Sequence, residues 1–216
     1  VWLKLAKRVN EILKADTVDG IVITHGTDTM EETAYFLQLV VKGRKPVVLT
    51  GSMRPSTALS ADGPLNIYNA VAVAGDTGSR GRGVLVAVND NIHGGREITK
   101  TNTTSVQTFE SPQYGLIGTT LYGKQSFFRY PFRKNTTSSE FTIDGVTAFP
   151  RVDVIYAHAN MSPDLIDAAV KNGAKGLIIA GVGDGNMTTP ALEALARAAR
   201  SGVVVVRSSR VPSGHT

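Results

Sequence analysis

The stretch GIVITHGTDTMEETAYF, residues 20–36, joins a strand signal directly to a helix signal. Its first part, residues 21–23, is apolar and β-branched, which is typical of a strand. From Met30 onward, apolar residues recur at helical spacing. The polar segment between the two parts, residues 24–29, therefore lies where a strand ends and a helix begins. This segment either caps the helix or forms the polar wall of a site, and the local pattern leaves both interpretations open.

The same alternation of a short apolar strand and an amphipathic helix recurs along the chain. GIVIT (20–24) and KPVVLTG (45–51) have the continuous apolar pattern of strands covered on both faces, and GVLVAVND (83–90) is a further strand. The helix before this last strand is predicted to begin near Asp62 as its cap, with Pro64 in the first turn. An opening helix precedes them all, since residues 2, 5, 6, 9, 12 and 13 form one apolar face. The pattern predicts α/β layers built on largely parallel, doubly wound sheets.

The alternation stops near residue 92 and returns near residue 151. Residues 92–128 look like extended pieces and a hairpin, whereas residues 129–150 are polar and lack periodicity, as a linker would. Strands and helices then alternate again to the end, with Ser162 as the predicted cap of the first of these helices and Gly173 as its stop. We therefore predict two α/β domains, a larger N-terminal one at 1–128 and a smaller C-terminal one at 151–216, joined by the linker 129–150.

Composition excludes several classes of function. The 216 residues are 42% hydrophobic and 19% charged with a mean hydropathy of −0.02, as in a soluble globular protein. The net charge is +5, but the basic residues are scattered in apparent loops, so we expect no nucleic-acid partner. The absence of cysteine excludes a thiol nucleophile, a thiolate zinc site and a disulfide framework. No metal or membrane partner is expected, because the apolar runs are short and metal-ligand spacing is absent from His25, His93, His158 and His215.

Both ends of the sequence resemble the interior of a domain. Residue 1 is a valine that leads directly into a core-facing helix, and no signal peptide is present. At the other end, VVVVRSSRVPSGHT is a buried-type strand that runs into a loop. We therefore expect an internal fragment of a longer protein, with both domains truncated.

Three loops that follow predicted strands are rich in small and polar residues: THGTDT (24–29), GSMRPSTALSADG (51–63) and GVGDGN (181–186). In an open α/β sheet, such loops meet at the edge where ligands bind. In the first loop, Asp28 or Thr29 could simply cap a helix, but Gly26 also allows the backbone to approach a ligand. Asp28 could then bind an ammonium group, and Thr27 could act as nucleophile or position a water. We assign His25 a hydrogen-bonded structural role.

Lys100 is a single lysine among hydroxyl residues in REITKTNTT (96–104). A lone lysine is usually a surface charge. If it lay buried beside Thr27 and Asp28, desolvation would lower its pKa and let it take a hydroxyl proton, with Asp28 orienting it. The GVGDGN loop is a poor match to a dinucleotide fingerprint, so no cofactor is expected and Asn186 is instead presented by a tight turn.

Five segments together resemble the bacterial type II L-asparaginases of the asparaginase and glutaminase family: DGIVITHGTDTMEETAYFL, KPVVLTGSMRPSTALSADGPLNIYNAV, REITKTNTT, AGVGDGNM and VVVRSSRVPSG. The likeness covers nearly all 216 residues. It implies a larger N-terminal and a smaller C-terminal α/β domain. It also implies cofactor-free hydrolysis of L-asparagine to L-aspartate and ammonia, and leaves activity on L-glutamine open.

The resemblance also implies roles for individual residues. Thr27, Lys100 and Asp28 match a Thr-Lys-Asp catalytic set, in which Asp28 also binds the substrate's α-ammonium. The backbone N–H of Thr27 would help stabilise the oxyanion. Ser52 would lie against the side-chain amide of the substrate, and Asn186 would reach the active site of a neighbouring subunit. A homotetramer, periplasmic or secreted, is the corresponding expectation.

One part of the family pattern lies outside this sequence. The primary nucleophilic threonine of the family precedes the segment that matches residue 1, so we expect the 216-residue fragment alone to show no turnover. Two alternatives from other classes remain: a subunit of an amidotransferase that delivers ammonia to a misacylated tRNA, and a small-molecule binding module that lacks catalysis.

Overall fold

The computed structural model describes residues 1–214, which separate into two compact units. The first unit is Val1–Gly145, and the second begins at Val146. Each unit has its own hydrophobic core. None of the helices in residues 1–214 has the length and apolar character needed to cross a membrane.

The first unit contains three α-helices and eight strands within Val1–Gly145. Six of the strands form one sheet in the order β1-β2-β3-β4-β7-β8, and β5 and β6 form a separate two-stranded ribbon. The sheet is parallel from β1 to β3 and antiparallel from β3 to β8. The elements in chain order are α1 Trp2–Ile12, β1 Ile21–Thr24, α2 Met30–Val40, β2 Val47–Thr50, α3 Gly63–Gly75, β3 Val84–Val88, β4 Asn91–Gly94, β5 Thr99–Lys100, β6 Phe109–Glu110, β7 Gly118–Leu121 and β8 Lys124–Phe127.

Helices cover both faces of the parallel half of this sheet. Side chains alternate along a strand, so Val47 and Leu49 enter the core beneath α1 and α2, whereas Val48 packs with α3. Strands β2 and β3 are fully buried, as continuous apolar runs predict. The same prediction was wrong for β1, whose residues are only partly buried and whose last residue is exposed. β1 is less buried because, among the described residues, it is an edge strand with β2 as its single neighbour.

The opening helix α1 packs as its apolar periodicity predicts. Ala6 and Val9 are buried against the core of the first unit. Trp2 stacks on Phe36 of α2, with ring centroids 5.4 Å apart, and its Nε1 donates a hydrogen bond to Thr33 Oγ1 at 2.9 Å. The contact joins α1 to the helix that follows the polar loop.

The two predicted helix caps differ from the structure in different ways. Asp62 occupies the N-cap position of α3, with Pro64 in the first turn as predicted, but its side chain makes no capping hydrogen bond. Its carboxylate accepts the backbone N–H groups of Met53 and Arg54 and none of the helix. Asp62 is therefore used to fold the loop before it. Ser162 accepts the N–H of Asp164 at 3.2 Å, but Pro163 occupies the capping position and the helix begins one residue later than predicted.

Two hairpins explain why the strand–helix alternation stops after β3. The predicted hairpin is β7–β8, and its turn residues Tyr122 and Gly123 both have positive φ, at 48° and 76°. The β3–β4 hairpin turns in the same way at Asn89 and Asp90, with φ of 49° and 62°. Two consecutive positive φ values match the right-handed twist of the strands, and Asn, Asp and Gly tolerate them best.

The second unit is a smaller α/β layer. It contains β9 Val152–Tyr156, α4 Asp164–Lys171, β10 Gly176–Gly181, α5 Thr189–Arg200 and β11 Val204–Ser209. Its three strands are parallel in the order β11-β10-β9, which confirms the predicted class. Within the described residues, both helices pack on one face of this sheet, so the doubly wound arrangement holds for the first unit only. The boundaries 1–128, 129–150 and 151–216 stay a prediction.

Candidate active site

The loops after β1 and β2 leave the sheet side by side. The two strands are in register, with Thr24 opposite Thr50, and His25 N donates to the Thr50 carbonyl at 2.8 Å. The loops border a crevice of about 390 Å³. The residues that line it are Thr24, His25, Gly26, Thr50, Gly51, Ser52, Gly63 and Ile67. Ser52 therefore lies at the carboxyl ends of the strands, where the sequence predicts that a ligand binds.

Gly51 brings the two loops into direct contact. A Cβ atom added at this position would lie 2.4 Å from the His25 carbonyl oxygen and 3.5 Å from Thr27 Cγ2. The first distance is far below a van der Waals contact, so a side chain there would push the 25–27 segment away. Glycine is required at this position for close approach.

Polar side chains of α3 and its N-terminus hold the loop after β2. Asp62 accepts from Met53 N and Arg54 N, at 2.9 Å each. Asn66 donates from Nδ2 to the Gly51 carbonyl at 2.9 Å, and its Oδ1 accepts from Asn89 N at 2.9 Å. Asn66 is buried, and its two hydrogen bonds link the loops that follow β2 and β3.

His25 is held by hydrogen bonds on both sides of its ring. Nδ1 lies 2.7 Å from the Gly26 carbonyl, and Nε2 lies 2.9 Å from Thr33 Oγ1. A carbonyl can only accept, so Nδ1 carries the hydrogen in this bond. Thr33 in turn accepts from the indole of Trp2. These contacts agree with the structural role that the sequence suggested for His25.

The structure brings Thr27, Asp28 and Lys100 together. Lys100 Nζ donates to Thr27 Oγ1 at 3.0 Å and to Asp28 Oδ1 at 2.8 Å. The lysine side chain is 17% exposed, whereas the Asp28 side chain is 93% exposed. The hydrogen bond from Lys100, and then its positive charge, hold the pKa of Asp28 below its ordinary value. A hydroxyl and an accessible carboxylate therefore share one half-buried ammonium group.

The hairpin loop that carries Lys100 is closed by its own polar side chains. Asn102 Oδ1 accepts the backbone N–H groups of Thr104 and Ser105, at 2.9 and 2.8 Å. Buried Thr108 accepts from Asn102 N at 3.0 Å and donates to the Asn102 carbonyl. Sequence reasoning did not single out Asn102 or Thr108. The tendency of Asn to bind backbone N–H groups two or three residues ahead was the signal that could have found the first of them.

Glu31 is a further residue that the sequence did not connect with the site. Glu31 lies in the first turn of α2, where the helix dipole favours a negative charge. In the structure, Glu31 Oε2 accepts the backbone N–H of Lys100. The contact joins residues that are 69 positions apart in the sequence, which is why the local pattern gives no sign of it.

Asn186 lies in the tight turn predicted for the second unit. Val182 and Asn186 exchange two backbone hydrogen bonds, both at 2.8 Å. Gly183 and Gly185 have positive φ, at 52° and 76°, and a Cβ at Gly181 would lie 2.4 Å from the Gly185 carbonyl carbon. The turn therefore needs its glycines and leaves Asn186 exposed.

Within residues 1–214, no group of three or more His, Cys, Asp or Glu residues is arranged to hold a metal ion. His215, the last of the four histidines considered above, lies outside the described residues.

Known proteins are similar in sequence to this chain over both units. Residues 1–133 match the family described as "Asparaginase, N-terminal", and residues 151–216 match "Glutaminase/Asparaginase C-terminal domain". The chain is 54% identical over 216 residues to the "Probable L-asparaginase periplasmic" of Haemophilus influenzae and 52% identical over 216 residues to "L-asparaginase 2" of Escherichia coli. It is 47% identical over 212 residues to the "Glutaminase-asparaginase" of Pseudomonas fluorescens.

These alignments cover 100%, 100% and 98% of the chain but only 61%, 62% and 58% of the three relatives. The chain thus spans about three fifths of the length of these curated relatives. The family match extends over both units, and it includes the loops that carry Thr27, Lys100 and Asn186. The chain therefore belongs to the asparaginase family.

Proposed function

We propose that the protein containing these residues hydrolyses the side-chain amide of L-asparagine, releasing L-aspartate and ammonia, and that L-glutamine is its second substrate. The observation that carries the proposal is the pair of hydrogen bonds from Lys100 Nζ to Thr27 Oγ1 and Asp28 Oδ1. The names of the relatives, L-asparaginase and glutaminase-asparaginase, support the same chemistry. They favour a hydrolase over a tRNA amidotransferase subunit or a non-catalytic binding module.

In the proposed reaction, Lys100 acts through the Thr27 hydroxyl. Once Lys100 has released one proton to solvent, its amine takes the hydroxyl proton of Thr27, and the Thr27 oxygen takes the proton of the attacking nucleophile. On the family pattern, that nucleophile is a second threonine outside the 216 residues. Asp28 stabilises the lysine ammonium that forms, much as a carboxylate stabilises the imidazolium of a Ser-His-Asp triad. The proton then returns to the amide nitrogen, the carbon–nitrogen bond breaks, and ammonia leaves an acyl ester on the nucleophilic threonine. A water molecule then attacks this ester, which returns a proton to the threonine oxygen and releases L-aspartate.

The same residues suit the binding of an amino-acid substrate. Asp28 uses Oδ1 for Lys100, and its largely exposed carboxylate can accept the α-ammonium of asparagine at Oδ2. Ser52 borders the strand-end crevice and is proposed to face the side-chain amide. Asn186 is proposed to act in the site of a neighbouring subunit, so the site needs at least two subunits, and a homotetramer is the proposed active form. No cofactor enters the scheme.

The location of the protein is proposed from its relatives. One of them is named a periplasmic L-asparaginase, so we assign this protein to the periplasm.

Ammonia release from L-asparagine and L-glutamine tests the proposal. The product of the complete reading frame is incubated with each amide, and ammonia is measured through glutamate dehydrogenase and NADH oxidation, with L-aspartate identified separately. We expect turnover of L-asparagine and a lower rate with L-glutamine. A well-folded protein that releases no ammonia from either amide refutes the proposed function.

A further inference from the structure

Within residues 1–214, the strand that carries Lys100 pairs with another strand on one side only. β5 pairs with β6 in a two-stranded ribbon, in which Lys100 lies opposite Phe109. Thr101 N donates to the Thr108 carbonyl at 2.8 Å, so the Thr101–Thr108 pair is hydrogen-bonded. Hydrogen-bonded and non-hydrogen-bonded pairs alternate along an antiparallel ladder. The N–H of Lys100 therefore points away from β6 and needs another acceptor.

Glu31 supplies this acceptor from α2. Its Oε2 binds the Lys100 N–H, which lies on the open side of the ribbon. Hydrogen bonds to a carboxylate are stronger than those between neutral groups. Glu31 itself is in the first turn of α2, where the helix dipole favours a negative charge. The Glu31 carboxylate thus accepts the backbone hydrogen bond that a third strand would otherwise accept at Lys100.

Lys100 is consequently held at two points by one short segment of chain. Thr27 and Asp28 bind its Nζ atom, and Glu31, only three residues after Asp28, binds its backbone N–H. The backbone N–H and the Nζ atom of Lys100 both bind residues of the segment 27–31. These contacts fix the position of Nζ relative to Thr27 Oγ1. Without the backbone contact, Phe109 still packs the ribbon into the core, but the Lys100 backbone loses its hydrogen bond to α2.

We infer that Glu31 is a positioning residue for Lys100, a role that rests on the proposed function. Glu31 acts through the lysine and does not touch the substrate. Its loss should therefore impair proton transfer between Thr27 and Lys100 more than substrate binding. Glu32 is the matched control, because it is the adjacent carboxylate of the same helical turn and is exposed.

The experiment compares three variants of the product of the complete reading frame, Glu31→Ala, Glu31→Gln and Glu32→Ala. We expect Glu31→Ala to lower kcat for L-asparagine roughly 10- to 100-fold, the range for a catalytic group displaced by about an ångström, with KM changed less than threefold. Glu31→Gln retains an oxygen acceptor and should recover most of kcat. Glu32→Ala should behave as the unmutated protein.

A second readout does not depend on activity. Hydrogen–deuterium exchange of a peptide that covers residues 97–103 reports protection of the Lys100 amide. We expect faster exchange in Glu31→Ala and unchanged exchange in Glu31→Gln and Glu32→Ala.

The two readouts separate failure of this inference from failure of the proposed function. If the unmutated protein releases ammonia and Lys100→Met does not, then normal kcat in Glu31→Ala overturns the inference, as does an equal loss in Glu32→Ala. If the unmutated protein releases no ammonia, the proposed function fails and the positioning role in catalysis fails with it. Unchanged exchange in Glu31→Ala overturns the structural basis of the inference in either case.

Discussion

Burial of His93 should make the protein less stable in acid. This histidine lies in β4 with 1% of its surface exposed, and its Nδ1 pairs with Ser111 Oγ at 2.9 Å. Its Nε2 has no hydrogen-bond partner among the described residues. Burial lowers the pKa of His93 to about 4 from the ordinary value of 6.5. His93 therefore binds a proton more weakly in the folded protein than in the unfolded chain.

The sign and size of the effect follow from these two pKa values. At pH 8, well above 6.5, the histidine is neutral in both states, so it does not alter stability. Between pH 6.5 and about 4 only the unfolded chain binds the proton, and stability falls as the pH falls. At pH 5 the free energy of unfolding should be lower than at pH 8 by about 2 kcal/mol through His93 alone.

Denaturant unfolding at pH 8 and pH 5 and at one protein concentration measures this difference. In His93→Leu, the loss of the Ser111 contact acts at both pH values, so comparison of the two pH differences isolates the proton. The unmutated protein should lose about 2 kcal/mol more than His93→Leu between pH 8 and pH 5. Exposed His158 provides the control, and His158→Gln should follow the unmutated protein. Equal pH dependence in the unmutated protein and His93→Leu would refute the reasoning.

Two further predictions concern the loops of the site. Gly51→Ala should lower both kcat and the melting temperature, because its Cβ would lie 2.4 Å from the His25 carbonyl oxygen; Gly75→Ala, with no atom within 4 Å of the added Cβ, should change neither. A Gly51→Ala protein with normal kinetics would contradict the close approach of the two loops. Asn102→Ala removes two hydrogen bonds to backbone N–H groups and should lower kcat about 10-fold by loosening the loop next to Lys100. Steady-state kinetics measures this loss, and exchange of a peptide covering residues 97–108 should rise with it; unchanged exchange would count against this function of Asn102.

The strands and helices could be predicted from local patterns of apolar residues wherever those patterns match the burial seen in the structure. Continuous apolar runs such as residues 47–49 identified the strands, helical periodicity identified α1 and α2, and the Asp62 and Pro64 signals identified α3. The edge position that β1 has among residues 1–214 could not be read in this way, because its sequence resembles that of a central strand and only its neighbours differ. Asp62 was correctly predicted at the N-cap position of α3, but the partners of its carboxylate were not. The backbone N–H groups of the preceding loop bind it instead of those of the helix.

The candidate site could be described from the sequence as a set of residue types and motifs, but its contacts could not. Thr27 and Asp28 were identified from their position after a strand, and Lys100 from its motif. Its Nζ contact joins residues 73 positions apart, so no local rule could place the lysine beside Thr27. The Glu31 contact spans 69 positions and uses a backbone N–H, which every residue except proline has. Such a contact leaves no signature in the sequence until the fold is known.

A double-mutant cycle on Thr27 and Lys100 tests the central claim that the two residues work as one proton-transfer unit. Thr27→Val, Lys100→Met and the double variant are compared by kcat for L-asparagine in the product of the complete reading frame. We predict that each single variant lowers kcat about 10²- to 10⁴-fold and that the double variant is no slower than the slower single variant. Losses that multiply in the double variant, or a single variant that keeps normal kcat, would contradict the account.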